Sequence, residues 1–175
     1  IMTIDSIRRI VQSLVKDAPM VEPAALAQAL DILVRPFPLG MKEDACKGFF
    51  IIHRRQKHIT YNSDLPVPLQ RVVLAHELGH AVLHSDGLGP TSFHDVLLFS
   101  SPDEKEYEAN LFAAELLLPD TFILPKLSAG RDFFALSQAL EVPAPILDFK
   151  LRILRHEGHP VSLPLSATGN FLKAL

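Results

Sequence analysis

His76 and His80 stand four residues apart in the stretch AHELGHAVLH (75–84), with Glu77 directly after the first of them. On an α-helix, positions i and i+4 differ by about 40° in direction and about 6 Å in rise, so two imidazoles can converge on one ion. Glu77 projects about 100° away from His76, too far round to be a natural third ligand. It can instead reach a water at the open position of the metal and act as a general base. Zinc suits this arrangement, because it accepts imidazole nitrogen and lowers the pKa of a coordinated water to about 7. The His-Glu-x-x-His spacing is a recognised metalloprotease signature. Coincidence is the competing reading, but two histidines and a glutamate on so apolar a helix would be costly to desolvate without a partner.

His84 repeats the four-residue interval, yet it lies about 12 Å further along the axis than His76 and about 80° round. A straight helix cannot bring all three rings to one ion. His84 reads as a histidine of the last helical turn, favoured there by the helix dipole, or as a group behind a ligand. The remaining protein ligand must come from elsewhere, and the stretch SPDEKEYEANLFAAELLLP (101–119) offers Glu104, Glu106, Glu108 and Glu115. With Glu106 set at 0°, Ala109, Asn110, Ala113 and Leu117 fall within about 60° of it, whereas Glu104, Glu108 and Glu115 fall about 160° to 200° away. That pattern predicts Glu106 as the inward ligand and the other three as a solvated face, so Glu108 and His84 are expected to be dispensable for the metal. Asn110, one turn beyond Glu106, can accept a hydrogen bond from the other nitrogen of a liganding imidazole. Gly79, Ala109 and Ala113 are small enough to let the two helices approach closely.

The elements that must hold these residues are legible in outline. Residues 3–16 form an amphipathic stripe of Ile4, Ile7, Ile10, Val11 and Leu14, and EPAALAQALDIL predicts a second short helix with Pro23 at a tolerated early position. VRPFPLG permits at most an edge strand, because its two prolines remove donors. GFFIIH (48–53) and HITYN (58–62) flank RRQK and predict a hairpin. A long helix is expected from about Pro66 to His84, apolar on nearly every side and therefore buried. SDGLGPTSFHDV reads as a loop, and the acidic stretch as a helix stopped by Pro119. Two further helices are expected near RDFFALSQAL and APILDFKLRILRHEG, and the tail from 159 onward carries no assignable pattern.

The pair VVLAHELGHAVLH and EYEANLFAAELLLP resembles the two signature helices of the ImmA/IrrE metallopeptidases, within the gluzincin-like zincins. The resemblance is firm over about 48–125 and weaker on both sides. Leu118 stands where that family commonly has methionine, a volume-conserving change. The resemblance implies an α+β, zincin-like fold in which a small mixed or antiparallel sheet packs on the buried histidine-bearing helix. Residues 1–128 would form this metallopeptidase unit, and 129–175 a small helical region, often helix-turn-helix-like in the family, with its tail. It implies His76, His80 and Glu106 as zinc ligands and Glu77 as the catalytic base, in agreement with the helical geometry. It further implies an intracellular protein of bacterial or phage origin that cleaves a specific substrate, in several members a helix-turn-helix repressor. Strand 48–53 would line the cleft and hold an extended peptide by strand addition. Tyr61 and His94 are candidates for an additional oxyanion donor.

Three functions follow for comparison. The leading one is a zinc endopeptidase with a narrow protein substrate. The second is a regulatory binding module of a mobile element or stress response that holds zinc with little turnover. The third is DNA binding through Lys150, Arg152, Arg155 and His156, but with a net charge of −3 that cluster reads as a solvated helix face, and direct nucleic-acid binding is not expected. The single cysteine, Cys46, excludes an internal disulfide. With no secretory h-region near the start and no run approaching a membrane span, the expectation is a cytoplasmic protein without a membrane partner.

Overall fold

The computed structural model describes residues 2–16, 20–85, 91–93, 103–128 and 132–161, with 91–93 described for their backbone. Helix α1 (Ile4–Val15) begins at Thr3, whose hydroxyl accepts from the Ser6 amide, and it buries Ile7 and Val11. Helix α2 (Pro23–Ala29) opens on a proline, which lacks the amide that a first helical turn leaves unsatisfied. Strand β1 (Leu33–Phe37) contains Pro36 and lies at the edge of the sheet, the place where a missing donor is tolerated.

Strands β2 (Gly48–His53) and β3 (Gln56–Asn62) form the expected hairpin. Its two turn residues, Arg54 and Arg55, both have positive φ (49° and 65°), the backbone twist that two-residue hairpin turns require. β3 also pairs in parallel with β1. Strand β4 (Thr91–Phe93) falls inside the stretch expected to be loop, and pairs antiparallel with β2 at Gly48–Phe50. The sheet order is β1-β3-β2-β4. The expected open edge of strand 48–53 is thus taken by β4 over half its length.

Helix α3 (Val67–Leu83) lies across the sheet and is buried from Val72 to Ala81 without a polar face. The Lys57 ammonium on β3 caps its C-terminal end, donating to the Ala81 carbonyl at 2.7 Å. Helix α4 (Glu104–Leu117) packs on α3 in the most extensive contact between elements. Asp103 caps it by accepting from the Lys105 and Glu106 amides at 2.8 and 3.3 Å. Helices α5 (Asp120–Leu127), α6 (Phe133–Leu140) and α7 (Ala144–His156) follow, with α1 and α7 both packed on α4. α5 is absent from the sequence expectations because Pro119 reads as a stop, whereas here it is the N-cap of a new helix. No helix among the described residues is long and apolar enough to cross a membrane.

Two sequence expectations are overturned by this packing. Glu108 and Glu115 are not on a solvated face: both are buried, as is every residue of α4 from Glu108 to Leu117. The helix is covered on the second side by α1 and α7, so its acidic residues find partners instead of water. Lys150 is likewise not part of a solvated basic face. It is fully buried, with its ammonium 2.7 Å from Glu115 and 2.6 Å from Asp120. Arg8 completes the cluster, 3.0 Å from Glu115 and 2.7 Å from Glu157, and these carboxylates hold its pKa above the ordinary arginine value. Removing Lys150 would leave Glu115 and Asp120 to Arg8 and open a cavity where a long side chain is fully buried. Lys150→Ala should therefore lower stability by about 3 kcal/mol. Arg152→Ala, at an exposed ion pair with Asp148, should change it by no more than about 0.5 kcal/mol. Urea unfolding of the two variants checks this, and equal midpoints would contradict it.

Candidate metal centre

α3 and α4 meet where neither helix carries bulk. A Cβ built on Gly79 would lie 2.9 Å from the Cα of Ala109 and 3.0 Å from its carbonyl oxygen, closer than backbone atoms allow. Any larger residue at 79 must push the helices apart. At this separation Glu106, in the first turn of α4, meets the two histidines of α3. Its carboxylate oxygens lie 3.2 Å from the Nε2 atoms of His76 and His80, which are 3.1 Å from each other. Tetrahedral coordination with bonds of 2.0–2.1 Å places donor atoms about 3.3 Å apart, so the three groups fit a metal ion in both spacing and number.

The outer nitrogens of the two rings are also engaged. His76 Nδ1 lies 2.8 Å from Asn110 Oδ1, an atom that can only accept. The ring therefore carries its proton on Nδ1 and turns the Nε2 lone pair towards His80 and Glu106. Sequence reasoning placed Asn110 here, and the structure brings the two together. His80 Nδ1 lies 3.1 Å from His84 Nδ1, and His84 Nε2 lies 2.9 Å from Glu108 Oε2. His84 thus sits one ring behind the three converging groups, not among them.

Burial lowers the pKa of His80 and of His84, only partly opposed by Glu106 and Glu108, so both rings favour the neutral form in which imidazole binds a metal. A donor set of two imidazoles and one carboxylate suits a divalent transition metal.

The helical-wheel expectation for Glu108 fails for a specific reason. The line of contact with α3 runs through Ala109, the residue nearest Gly79, and not through Glu106. Glu106 is displaced from that line by about 60° on one side and Glu108 by about 100° on the other. Both carboxylates straddle the contact, and both reach histidines of α3.

Glu77 is fully buried and faces the sheet. A Cβ on Gly48 would lie 3.6 Å from its Cγ and 2.5 Å from Val73 Cγ1, so β2 can cross this part of α3 only with glycine there. Tyr61, paired with Gly48 across the hairpin, shares the sheet face turned towards α3 and packs against the core. His94 lies outside the described residues. Asn62 was not singled out by sequence, yet it is fully buried and organises the loop before β2, accepting from the Leu39 amide and donating to the Gly40 and Cys46 carbonyls. An asparagine closing the strand run HITYN was the available sign. Among the described residues a second metal-capable group, Asp120, Glu157 and His159, is partly exposed, and its carboxylates are already paired with Lys150 and Arg8.

Comparison with known proteins covers the same helices. Residues 27–152 match the peptidase M78 family model, described as the IrrE N-terminal-like domain. The chain is also 40% identical over 114 residues to "Uncharacterized immunity region protein 2" of Bacillus phage phi105, an alignment that spans 65% of this chain and 69% of that protein. The matched span contains both helices of the centre and the whole β1–β3 sheet, and the α+β arrangement described above is consistent with a zincin-like fold. The chain belongs to the IrrE N-terminal-like family of M78 peptidases.

Proposed function

We propose that this protein is a zinc-dependent endopeptidase that cleaves a particular protein, with a helix-turn-helix transcriptional repressor as the substrate class. The observation that carries this reading is the convergence of His76 Nε2, His80 Nε2 and the Glu106 carboxylate, with Glu77 buried beside them under the glycine end of β2. In this reading His76, His80 and Glu106 hold zinc, and Asn110 fixes the ring of His76. Zinc, when bound, supplies Lewis acidity that acidifies water and polarises a carbonyl. Glu77 takes the proton from the attacking water and passes it to the leaving amide nitrogen, so the base ends the cycle ionised again. An extended substrate segment would run along the outer edge of β4, since β2 is already paired at Gly48–Phe50. Tyr61, on the face turned to α3, is the described candidate for contact with the developing oxyanion. The phage immunity name of the similar protein supports a setting in which a repressor is the object of control.

The purified protein should hold about one zinc per chain. His76→Ala, His80→Ala and Glu106→Gln should each lose it, and metal analysis of protein never exposed to chelator gives the answer. Zinc retained by all three would remove the centre.

Glu77→Gln should keep its zinc and its fold while cleavage of a repressor substrate falls by about 100-fold or more. Near-normal cleavage by this variant would mean another group is the base. Casein and other unfolded proteins should be cut poorly at enzyme concentrations that cleave the true substrate. A wild-type protein that holds zinc and binds the repressor without cutting it would instead be a regulatory module.

A further inference from the structure

His84 and Glu108 are the two buried polar residues next to the centre that neither the helix geometry nor the proposed reaction uses. Each of their contacts has a direction. Glu108 is acceptor-only when ionised, and its other oxygen accepts the Met2 backbone amide, which pins the carboxylate in place. Facing it at 2.9 Å, His84 Nε2 must carry the hydrogen. A His80 that gives its Nε2 lone pair to a metal carries its hydrogen on Nδ1, so His84 Nδ1, 3.1 Å away, must accept it. The donors then run outward from the centre in one direction, with His80 Nε2 bare and aimed at His76 and Glu106. The reverse orientation would put a hydrogen on His80 Nε2, where a metal must bind.

We infer that His84 and Glu108 are positioning residues of the metal centre, a carboxylate–imidazole relay that fixes the tautomer of His80 and strengthens it as a ligand. The inference rests on the assignment of His80 as a ligand. Metal-bound histidines usually donate their outer N–H directly to a carboxylate or carbonyl, and loss of that partner weakens metal affinity by about 10- to 100-fold. Here the carboxylate acts one ring further out. His76 has the neutral amide of Asn110 behind it, whereas the Glu108 carboxylate stands behind His80 through His84, so the two imidazoles are not equivalent.

The test uses the full chain and zinc alone, titrated against a competing chelator. His84→Phe fills the ring's space without accepting a hydrogen bond, and Glu108→Leu removes the carboxylate without leaving a buried charge. Both should raise the zinc Kd by about 10- to 100-fold while the protein stays folded. His84→Gln, whose carbonyl can accept from His80 Nδ1, should recover most of the loss, and Glu104→Gln on the exposed first turn of α4 should bind as wild type. In the zinc-loaded wild type, ¹⁵N spectra should show His84 neutral with its hydrogen on Nε2, and a scalar coupling across the Nδ1–H···Nδ1 contact with His80. This readout needs no variant to fold. A His84 that is protonated on Nδ1, or affinities for His84→Phe and Glu108→Leu within twofold of wild type, would overturn the relay. Failure of the ligand assignment would look different, because wild type would then hold no zinc or His80→Ala would keep it.

Discussion

At the crossing of α3 and α4 the space between two helix backbones is too small for a methyl group. A Cβ at Gly79 would meet the Cα and carbonyl of Ala109 within 3.0 Å, and this contact sets the distance between the element that bears His76 and His80 and the one that bears Glu106. Metal ligands tolerate displacements of a few tenths of an ångström, whereas one added side chain at a helix crossing moves backbones by more than that. The spacing of the three converging groups is therefore set by two residues that are not among them. The same economy governs the sheet, where Gly48 lets β2 lie directly over Val73 and Glu77.

Close approach has an electrostatic consequence. α4 is buried from Glu108 to Leu117 although it carries two carboxylates within that span. A buried charge without a partner is far costlier than one in water, and each of these has one. Glu108 accepts from His84 and the Met2 amide, and Glu115 is held by Arg8 and Lys150. Burial alone would raise the pKa of Glu108, but the Met2 amide and His84 outweigh it and keep the carboxyl below its ordinary value. Polar groups inside this helix pair thus come in satisfied sets, each anchored on another element.

Much of the site could be read from spacing, because i, i+4 periodicity fixes direction along a single helix without reference to anything else. His76, His80, Glu77 and the inward side of Glu106 all belong to that kind of knowledge, as do the hairpin and the bounds of α3. What could not be read was which neighbour covers each face. The helical wheel separated Glu108 and Glu115 from Glu106 but took their side for solvent, because nothing local announces that α1 and α7 pack on α4 or that Glu108 reaches His84 of α3. Lys150 was misread for the same reason, its sequence neighbours Arg152 and Arg155 being exposed. β4 is only three residues long and is defined by its pairing with β2, a partner forty residues earlier that no local propensity reveals.

The charge cluster around Glu115 also bears on the order in which the molecule can assemble. Arg8 and Glu115 are 107 residues apart in the chain, and Arg8 and Glu157 are 149 apart. The centre itself joins two helices adjacent in sequence. Contacts of long sequence separation close slowly, since the chain entropy of a large loop must be lost before they form. The helix pair can therefore meet first, with α1 and α7 locking down afterwards over α4. Interactions that form after the folding barrier oppose unfolding more than they hasten folding. A clasp formed late between α1, α4 and α7 would thus lengthen the lifetime of the assembled helix pair more than it speeds its assembly.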